Sequence, residues 1–351
     1  WRAGEGAPAV REPLVSVVPP SSDAEEHLPE ALESVLGQSH RRLEVVAVDD
    51  GSRDGTAALL AEAARNDARV RVLTHPGNQG IVAALNRGLE AARGDFVARM
   101  DADDVCLPER LARQLQLFRD HPGTDAVGTG VRLVDDAGRP LGERPPRACT
   151  PWGCRFLSYL ATPLVHPSVL ARTEVLRRHR YRLADETLHA EDYDLCARLA
   201  RGGAVLRNVA APLLRLRQSS RSVSGRFEEV QVERFTRCAR GHLAAGLGLE
   251  PPPAVHAVLV NRMGRGTGGR ELRAGLRLLD EVAGRFLPAP SPAEAAEVDA
   301  VAHQQRVDIL LQAGRRGTPG LRLAALRAAL GPPWSLLRPA GRRHLAGKRI
   351  R

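Results

Sequence analysis

Apolar positions along the first third of the chain recur with two periods, and the two alternate. Leu14-Val15-Ser16-Val17-Val18 and Leu43-Glu44-Val45-Val46-Ala47-Val48 are short, rich in β-branched residues and bounded by turn formers, as buried strands are. Between them Leu28, Leu32, Val35 and Leu36 fall on one face of a helix over about 25–36, with Asp23 placed to cap it. The pattern continues with a helix near 56–66, a strand at 70–73, a turn at His75-Pro76-Gly77-Asn78, a helix near 80–92 and a strand at 96–100. Strands and helices that alternate across short connections predict a parallel, doubly wound α/β sheet. A helix near 108–119 starts at Pro108, and strand-like runs follow at 126–134 and 165–170. Residues 139–163, rich in Pro and Arg, read as an irregular connection, and a helix begins near 191. A last apolar segment lies within 203–224, and beyond about 226 the chain turns to Ala, Leu and Arg with helical periodicity. The expected organisation is a disordered lead-in at 1–12, an α/β domain at 13–226 and a helical region at 227–351 that ends in a basic tail, 315–351.

Two of these strands end in acids. The run Phe96-Val97-Ala98-Arg99-Met100 stops at Asp101-Ala102-Asp103-Asp104, and the strand at 43–48 stops at Asp49-Asp50-Gly51-Ser52. Asp is a poor strand residue, so each strand holds its carboxylates at its carboxyl end, where open α/β sheets collect their ligands. Three carboxylates in four residues repel one another unless a cation or hydrogen-bond donors sit among them. Hard divalent cations take oxygen ligands, commonly one or two carboxylates plus substrate phosphates. Asp101-x-Asp103 therefore suggests a metal bridging the protein to a diphosphate; the plainer reading is a solvated acidic turn before the next helix. A third acidic pair, Glu191-Asp192, opens the helix near 191, where acids are favoured by the helix dipole whether or not they do chemistry.

Composition narrows the function classes. Hydrophobic residues at 43% and charged residues at 26% are those of a globular protein. No apolar run approaches the ~20 residues a transmembrane helix needs. Neither is a secretion signal visible. Five cysteines, an odd number without a C-x-x-C pair, favour reduced thiols in a cytoplasmic protein. The net charge of +10 falls almost wholly in residues 227–351, and aromatic content of 3% speaks against base stacking, so no nucleic-acid partner is expected.

Taken together, the residues resemble family 2 glycosyltransferases, inverting enzymes of the GT-A fold, over about residues 13–224. The resemblance rests on Val15–Val18 with Pro19; Val48-Asp49-Asp50-Gly51-Ser52 with Asp54-Gly55-Thr56; Asn78-Gln79-Gly80 with Asn86-Arg87-Gly88; Arg99-Met100-Asp101-Ala102-Asp103-Asp104; and Ala190-Glu191-Asp192, in the family's order. It implies a GT-A (Rossmann-like), mostly parallel sheet flanked by helices, here with a helical C-terminal appendage. It implies a nucleotide-diphosphate sugar donor, a divalent metal (Mn²⁺ or Mg²⁺) and a glycan or lipid-linked acceptor in cell-surface glycan biosynthesis. Asp49 and Asp50 stand where the family holds the base and ribose, Asp101 where it approaches the ribose, and Asp103 where it binds the metal. Pro19, Asn78, Gly80, Asn86, Arg99 and Ala102 stand at its other donor-binding motif positions. Asp192, beside Glu191, stands at the catalytic base. Inversion requires a base on the face of the sugar opposite the leaving diphosphate, so the metal acids cannot also serve as the base.

The chain departs from the family in two places. Pro20-Ser21-Ser22 replaces a Tyr-Asn-like pair, and Ser219 stands where many relatives carry His. Arg217 and Arg221 are candidate substitutes for a diphosphate clamp, with plain surface arginines the other reading. There is no Q-x-x-R-W motif of a processive synthase. Two rival readings remain. One is a degenerate, non-catalytic glycosyltransferase-like scaffold, against which every carboxylate the chemistry needs is present. The other is a dinucleotide enzyme using Gly264-Arg265-Gly266-Thr267-Gly268-Gly269, which lacks a surrounding βαβ unit and a ribose-binding acid about 20 residues on. Finally, the basic tail interleaves Leu321, Leu323, Leu326, Leu330 and Trp334 with arginines. That pattern suits peripheral contact with the anionic inner face of the plasma membrane, or packing on the catalytic domain.

Overall fold

The computed structural model describes residues 12–218, 228–264 and 266–329. The expected lead-in, Ser219, Arg221, Arg265 and residues 330–351 of the basic tail lie outside them, as does the expected domain boundary near 226. Strand β1 (Val15–Val18) is followed by the two-residue β2 (Pro20–Ser21), then α1 (Leu28–Leu36), β3 (Leu43–Asp49), α2 (Thr56–Asn66), β4 (Val70–Thr74), α3 (Ile81–Ala91) and β5 (Phe96–Arg99). β1 pairs in parallel with β3 and β5, and β3 pairs in parallel with β4. β2 keeps β1's register against β3, so the two are one strand interrupted at Pro19, which has no N–H to give the ladder. Every residue of β1, β3 and β5 is buried, because helices cover both faces, and such strands carry near-continuous apolar runs. The polar exceptions are paired: Ser16 donates to Glu44 at 2.6 Å, and Arg71 meets the other Glu44 oxygen at 3.0 Å.

Past β5 the sheet becomes mixed. β6 (Val105–Cys106), α4 (Arg110–Asp120), β7 (Ala126–Val134), β8 (Pro140–Arg144), α5 (Pro151–Leu157), a 3-10 turn (His166–Ser168), β9 (Leu170–Arg172), α6 (Thr173–His179), α7 (Glu191–Arg201) and β10 (Leu206–Arg217) follow. β9 runs antiparallel between β5 and β7, and β10 runs parallel to β7 and antiparallel to β6. The main path is β2-β3-β1-β5-β9-β7-β10-β6, with β4 on β3 and β8 on β7. Three expectations need correction. Asp23 does not cap the first helix, which begins at Leu28 behind His27 without a side-chain cap. Residues 139–163 are not an irregular connection, since they hold the exposed edge strand β8 and helix α5, whose Pro151 sits in its first turn behind the Thr150 cap. Residues 165–170 are not one strand, because Pro167 belongs to the 3-10 turn and pairing begins only at Leu170.

The C-terminal helices are α8 (Glu228–Leu247), α9 (Pro253–Leu259), α10 (Gly269–Phe286), α11 (Pro292–Arg316) and α12 (Pro319–Ala329). They share one apolar core with the sheet, a cluster that runs from Val18 to Ala325. Trp152, Phe156 and Tyr159, at the end of the sheet domain, surround Phe286 with ring centroids 5.2, 5.4 and 5.7 Å away. Glu297 of α11 accepts from Cys149 N at 2.7 Å and Thr150 N at 3.0 Å, and so caps α5 from another element. The expected leucine stripe on α12 is divided. Leu321, Ala324 and Ala325 face inward, while Leu323 and Leu326 are 48% and 55% exposed beside the exposed Arg322 and Arg327. Gly264–Gly269 follows helix α9, so no strand precedes it and the dinucleotide reading fails. Among the described residues no helix is long and apolar enough to cross a membrane.

Candidate active site

The parallel ladder β4-β3-β1-β5 sets the carboxyl ends of its strands side by side, and the two acidic strand ends thereby open on one crevice. At the end of β3 the adjacent acids do different work. Asp50 accepts from Gln79 N at 2.9 Å and Gly80 N at 2.8 Å, and its Oδ1 lies 2.6 Å from His75 Nδ1. It thus anchors the loop before α3, where Gly80 supplies φ +87 and Asn78 reaches Ser22 at 3.0 Å. Asp49, itself buried, accepts from Ser52 N at 3.1 Å through Oδ1. Gly51 is obligatory at this turn: it has φ +68, and a Cβ would stand 2.5 Å from the Gly77 backbone.

At the end of β5 stands a buried cation. The Arg99 guanidinium, 5% exposed, forks onto Asp101 with contacts of 2.7 and 2.5 Å. Asp101, Asp103 and Asp104 each offer an oxygen within 4.8 Å of the others. Burial and then the neighbouring Asp101 charge push the Asp103 carboxyl up to about 6, and burial with both other acids pushes Asp104 well above the usual carboxylate range. Asp104 Oδ1 accepts from Arg217 N at 3.0 Å, but its Oδ2 is buried without a partner. An all-oxygen set with an orphaned buried carboxylate oxygen fits a hard divalent cation. Ala102, buried within the turn, lets the backbone pass without adding bulk.

The third acidic pair meets the same crevice from α7. Glu191 is 8% exposed, and its Oε2 is buried without a partner; burial first and Asp192 second push its carboxyl up to about 7. Asp192 accepts from Tyr193 N at 2.7 Å, yet burial raises its proton affinity, with Asp101 adding and Arg99 opposing. α7 is fixed by the Tyr193 hydroxyl, which donates to Ser158 O at 2.6 Å, and by the Arg198–Asp194 pair at 2.8 Å.

Other expected site residues have partners within the protein. Asn86 uses both ends of its amide on the Tyr181 backbone, at 2.9 and 3.1 Å. Pro19 gives its carbonyl to Val48 N. Arg217 is neither a surface arginine nor a free clamp: it donates to Asp103 O, Asp135 O and Asp136 O and pairs with Glu30 at 3.0 Å, so it holds the acidic turn in place. Sequence reasoning passed over Asp104 as a ligand, although it sits in the same acidic run. It also passed over Tyr181 and His166, whose pairing across 15 residues at 2.8 Å no local pattern signals.

A mixed, mostly parallel sheet with acids gathered at the carboxyl ends of its strands is the GT-A architecture of nucleotide-sugar enzymes. TarS 1-349 of S. aureus, solved with UDP-GlcNAc, shares this fold at a TM-score of 0.55 and 19% identity over 96% of this chain and 93% of that one. The mannosyltransferase PcManGT of Pyrobaculum calidifontis, solved with GDP-Man and Mn²⁺, gives 0.52 and 22% over 92% and 88%. The model of the family described as "Glycosyl transferase family 2" matches residues 16–159. EpsE of Bacillus subtilis (strain 168), which bears a glycosyltransferase name, is 31% identical over 210 residues, 59% of this chain and 74% of EpsE. The chain belongs to glycosyltransferase family 2.

Glu191 generates a stability test. Its proton affinity rises on folding, so its contribution is present below the ordinary carboxylate range and is lost as pH rises through about 7. Thermal melts of Glu191→Gln in metal-free, nucleotide-free buffer should therefore exceed the parent's by more at pH 8 than at pH 5. A gap that does not change with pH would show that Glu191 ionises freely.

Proposed function

We propose that the protein is an inverting, metal-dependent glycosyltransferase that moves a sugar from a nucleoside-diphosphate donor to an acceptor hydroxyl in surface-glycan biosynthesis. The observation that carries this reading is the division of the acids into two groups that share one crevice: Asp101, Asp103 and Asp104 at the β5 end, and Glu191 with Asp192 at the α7 start. Inversion needs that division, because the acceptor oxygen attacks the anomeric carbon from the face opposite the departing diphosphate. Asp103 and Asp104 would hold the divalent cation, which supplies positive charge to the leaving diphosphate. Asp49 takes the donor's base or ribose. Asp192 takes the proton of the acceptor hydroxyl as the new C–O bond forms. Burial suits it to that task, since a base with raised proton affinity drives the transfer further than an ordinary carboxylate. That TarS and PcManGT were solved with nucleotide sugars supports this choice of donor.

Two substitutions separate the roles. Asp103→Asn should abolish the Mn²⁺-dependent rise in melting temperature that UDP or GDP gives the parent. Asp192→Asn should keep that rise, yet hydrolyse or transfer the donor sugar about 10²–10⁴-fold more slowly. Normal turnover in Asp192→Asn would return that residue to helix capping.

The outward face of α12 supports peripheral docking on an anionic membrane, where a lipid-linked acceptor would reside on the cytoplasmic side. Leu323 and Leu326 would enter the interface, and Arg322 and Arg327 would face its phosphates. In flotation, the parent should rise with vesicles containing anionic lipid at low salt and less at high salt, and Leu323→Glu/Leu326→Glu should not. Equal flotation would rule this face out.

A further inference from the structure

A tyrosine backbone is held with unusual care beside the acids. Asn86 bonds both Tyr181 N and Tyr181 O. Arg198 donates to His179 O at 2.5 Å and Arg180 O at 2.8 Å, and Arg180 itself takes φ +39. A non-glycine residue at positive φ persists only where its surroundings over-determine it. What this bracing fixes is one side chain. The Tyr181 ring is 7% exposed, and its hydroxyl lies 2.8 Å from His166 Nε2.

His166 opens the 3-10 turn that leads into β9. The β5–β9 ladder pairs Phe96 with Arg172, Val97 with Ala171 and Ala98 with Leu170, and Arg99 N reaches Val169 O at 2.8 Å. The 3-10 turn itself packs against β5, whose end leads into the acidic turn at 101–104. On its other side Tyr181 feels the charges of Glu191 and Asp192. Burial, with the Arg99 charge adding to it, keeps the imidazole neutral; burial pushes the Tyr181 phenol up, and there the Arg99 charge opposes it. The Tyr181 hydroxyl and His166 Nε2 share one hydrogen bond, and where the phenol donates it the imidazole proton sits on Nδ1. Nδ1 has no protein partner among the described residues.

We propose that His166 donates a hydrogen bond from Nδ1 to a hydroxyl oxygen of the sugar being transferred, and that Tyr181 is the positioning residue that fixes its tautomer. The sugar is the part of the donor that must lie between the diphosphate at Asp103 and the base at Asp192. The inference rests on the nucleotide-sugar reading above and assigns that site a sugar-recognising group.

The imidazole can be divided by substitution. Asparagine places an N–H near the position of Nδ1, while glutamine reaches the position of Nε2. Affinities with Mn²⁺ are measured by calorimetry for UDP against UDP-GlcNAc and for GDP against GDP-mannose, using whichever pair the parent binds. His166→Gln should bind the nucleoside diphosphate within about twofold of the parent but lose about tenfold toward the nucleotide sugar, the worth of one hydrogen bond. His166→Asn should keep most of the affinity for the nucleotide sugar. Tyr181→Phe, which frees the tautomer, should show the same sugar-specific loss in smaller measure, and it stands in should His166→Gln fail to fold. Equal losses toward diphosphate and nucleotide sugar, or a His166→Gln variant as competent as His166→Asn, would overturn the assignment. A parent that binds neither pair would overturn the donor reading itself, and this inference with it.

Discussion

The Arg99 guanidinium is the interaction on which the site depends. Five carboxylates from two elements converge on one crevice, and unscreened in a partly dry cleft they would drive one another to protonate or apart. Arg99 lies buried among them, forked onto Asp101, and its charge favours the ionised forms of Asp103, Asp104, Glu191 and Asp192 alike. A buried cation is costly unless it is paired, and breaking such a pair commonly costs about 3–5 kcal/mol. The pairing with Asp101 therefore fixes the arginine, and the fixed arginine lets two groups of acids share a site.

The rest of the fold serves that arrangement at several removes. The β5 strand delivers Arg99, and Arg217 at the end of β10 grips the Asp103 carbonyl and the Asp104 carboxylate, so the acidic turn is held from both sides. α7 has to present Glu191 and Asp192 to the crevice, and its Tyr193 hydroxyl is tied to Ser158 just past α5. α5 is in turn capped by Glu297 from α11, with Trp152 and Phe156 packed on Phe286. The C-terminal helices thus bear on the position of the candidate base through α5, although they carry none of the acids.

Much of this was legible in the sequence. The alternation of strand and helix through residue 100 predicted the parallel half of the sheet, and the acids stand at the carboxyl ends of β3 and β5 as expected. What local pattern could not supply were contacts between distant residues. Asp49 and Asp50 look equivalent in sequence, and only the folded 75–80 loop shows that Asp50 is occupied. Asn86 and Arg217 make their bonds largely to backbone, which leaves no residue-type signature. The edge strand β8 and helix α5 were hidden because Pro and Arg recur through 139–163, and it is Thr150 with Glu297, 147 residues away, that starts the helix.

The central claim, that one buried cation favours the ionised forms of both acid groups against the burial that opposes them, is tested by the pH dependence of donor turnover at saturating Mn²⁺ and nucleotide sugar. In Arg99→Met the acid limb of the profile should move to higher pH than in the parent, because Asp192 loses the charge that favours its ionised form, and Arg99→Lys should restore most of the shift. An acid limb that stays in place in Arg99→Met would contradict the account.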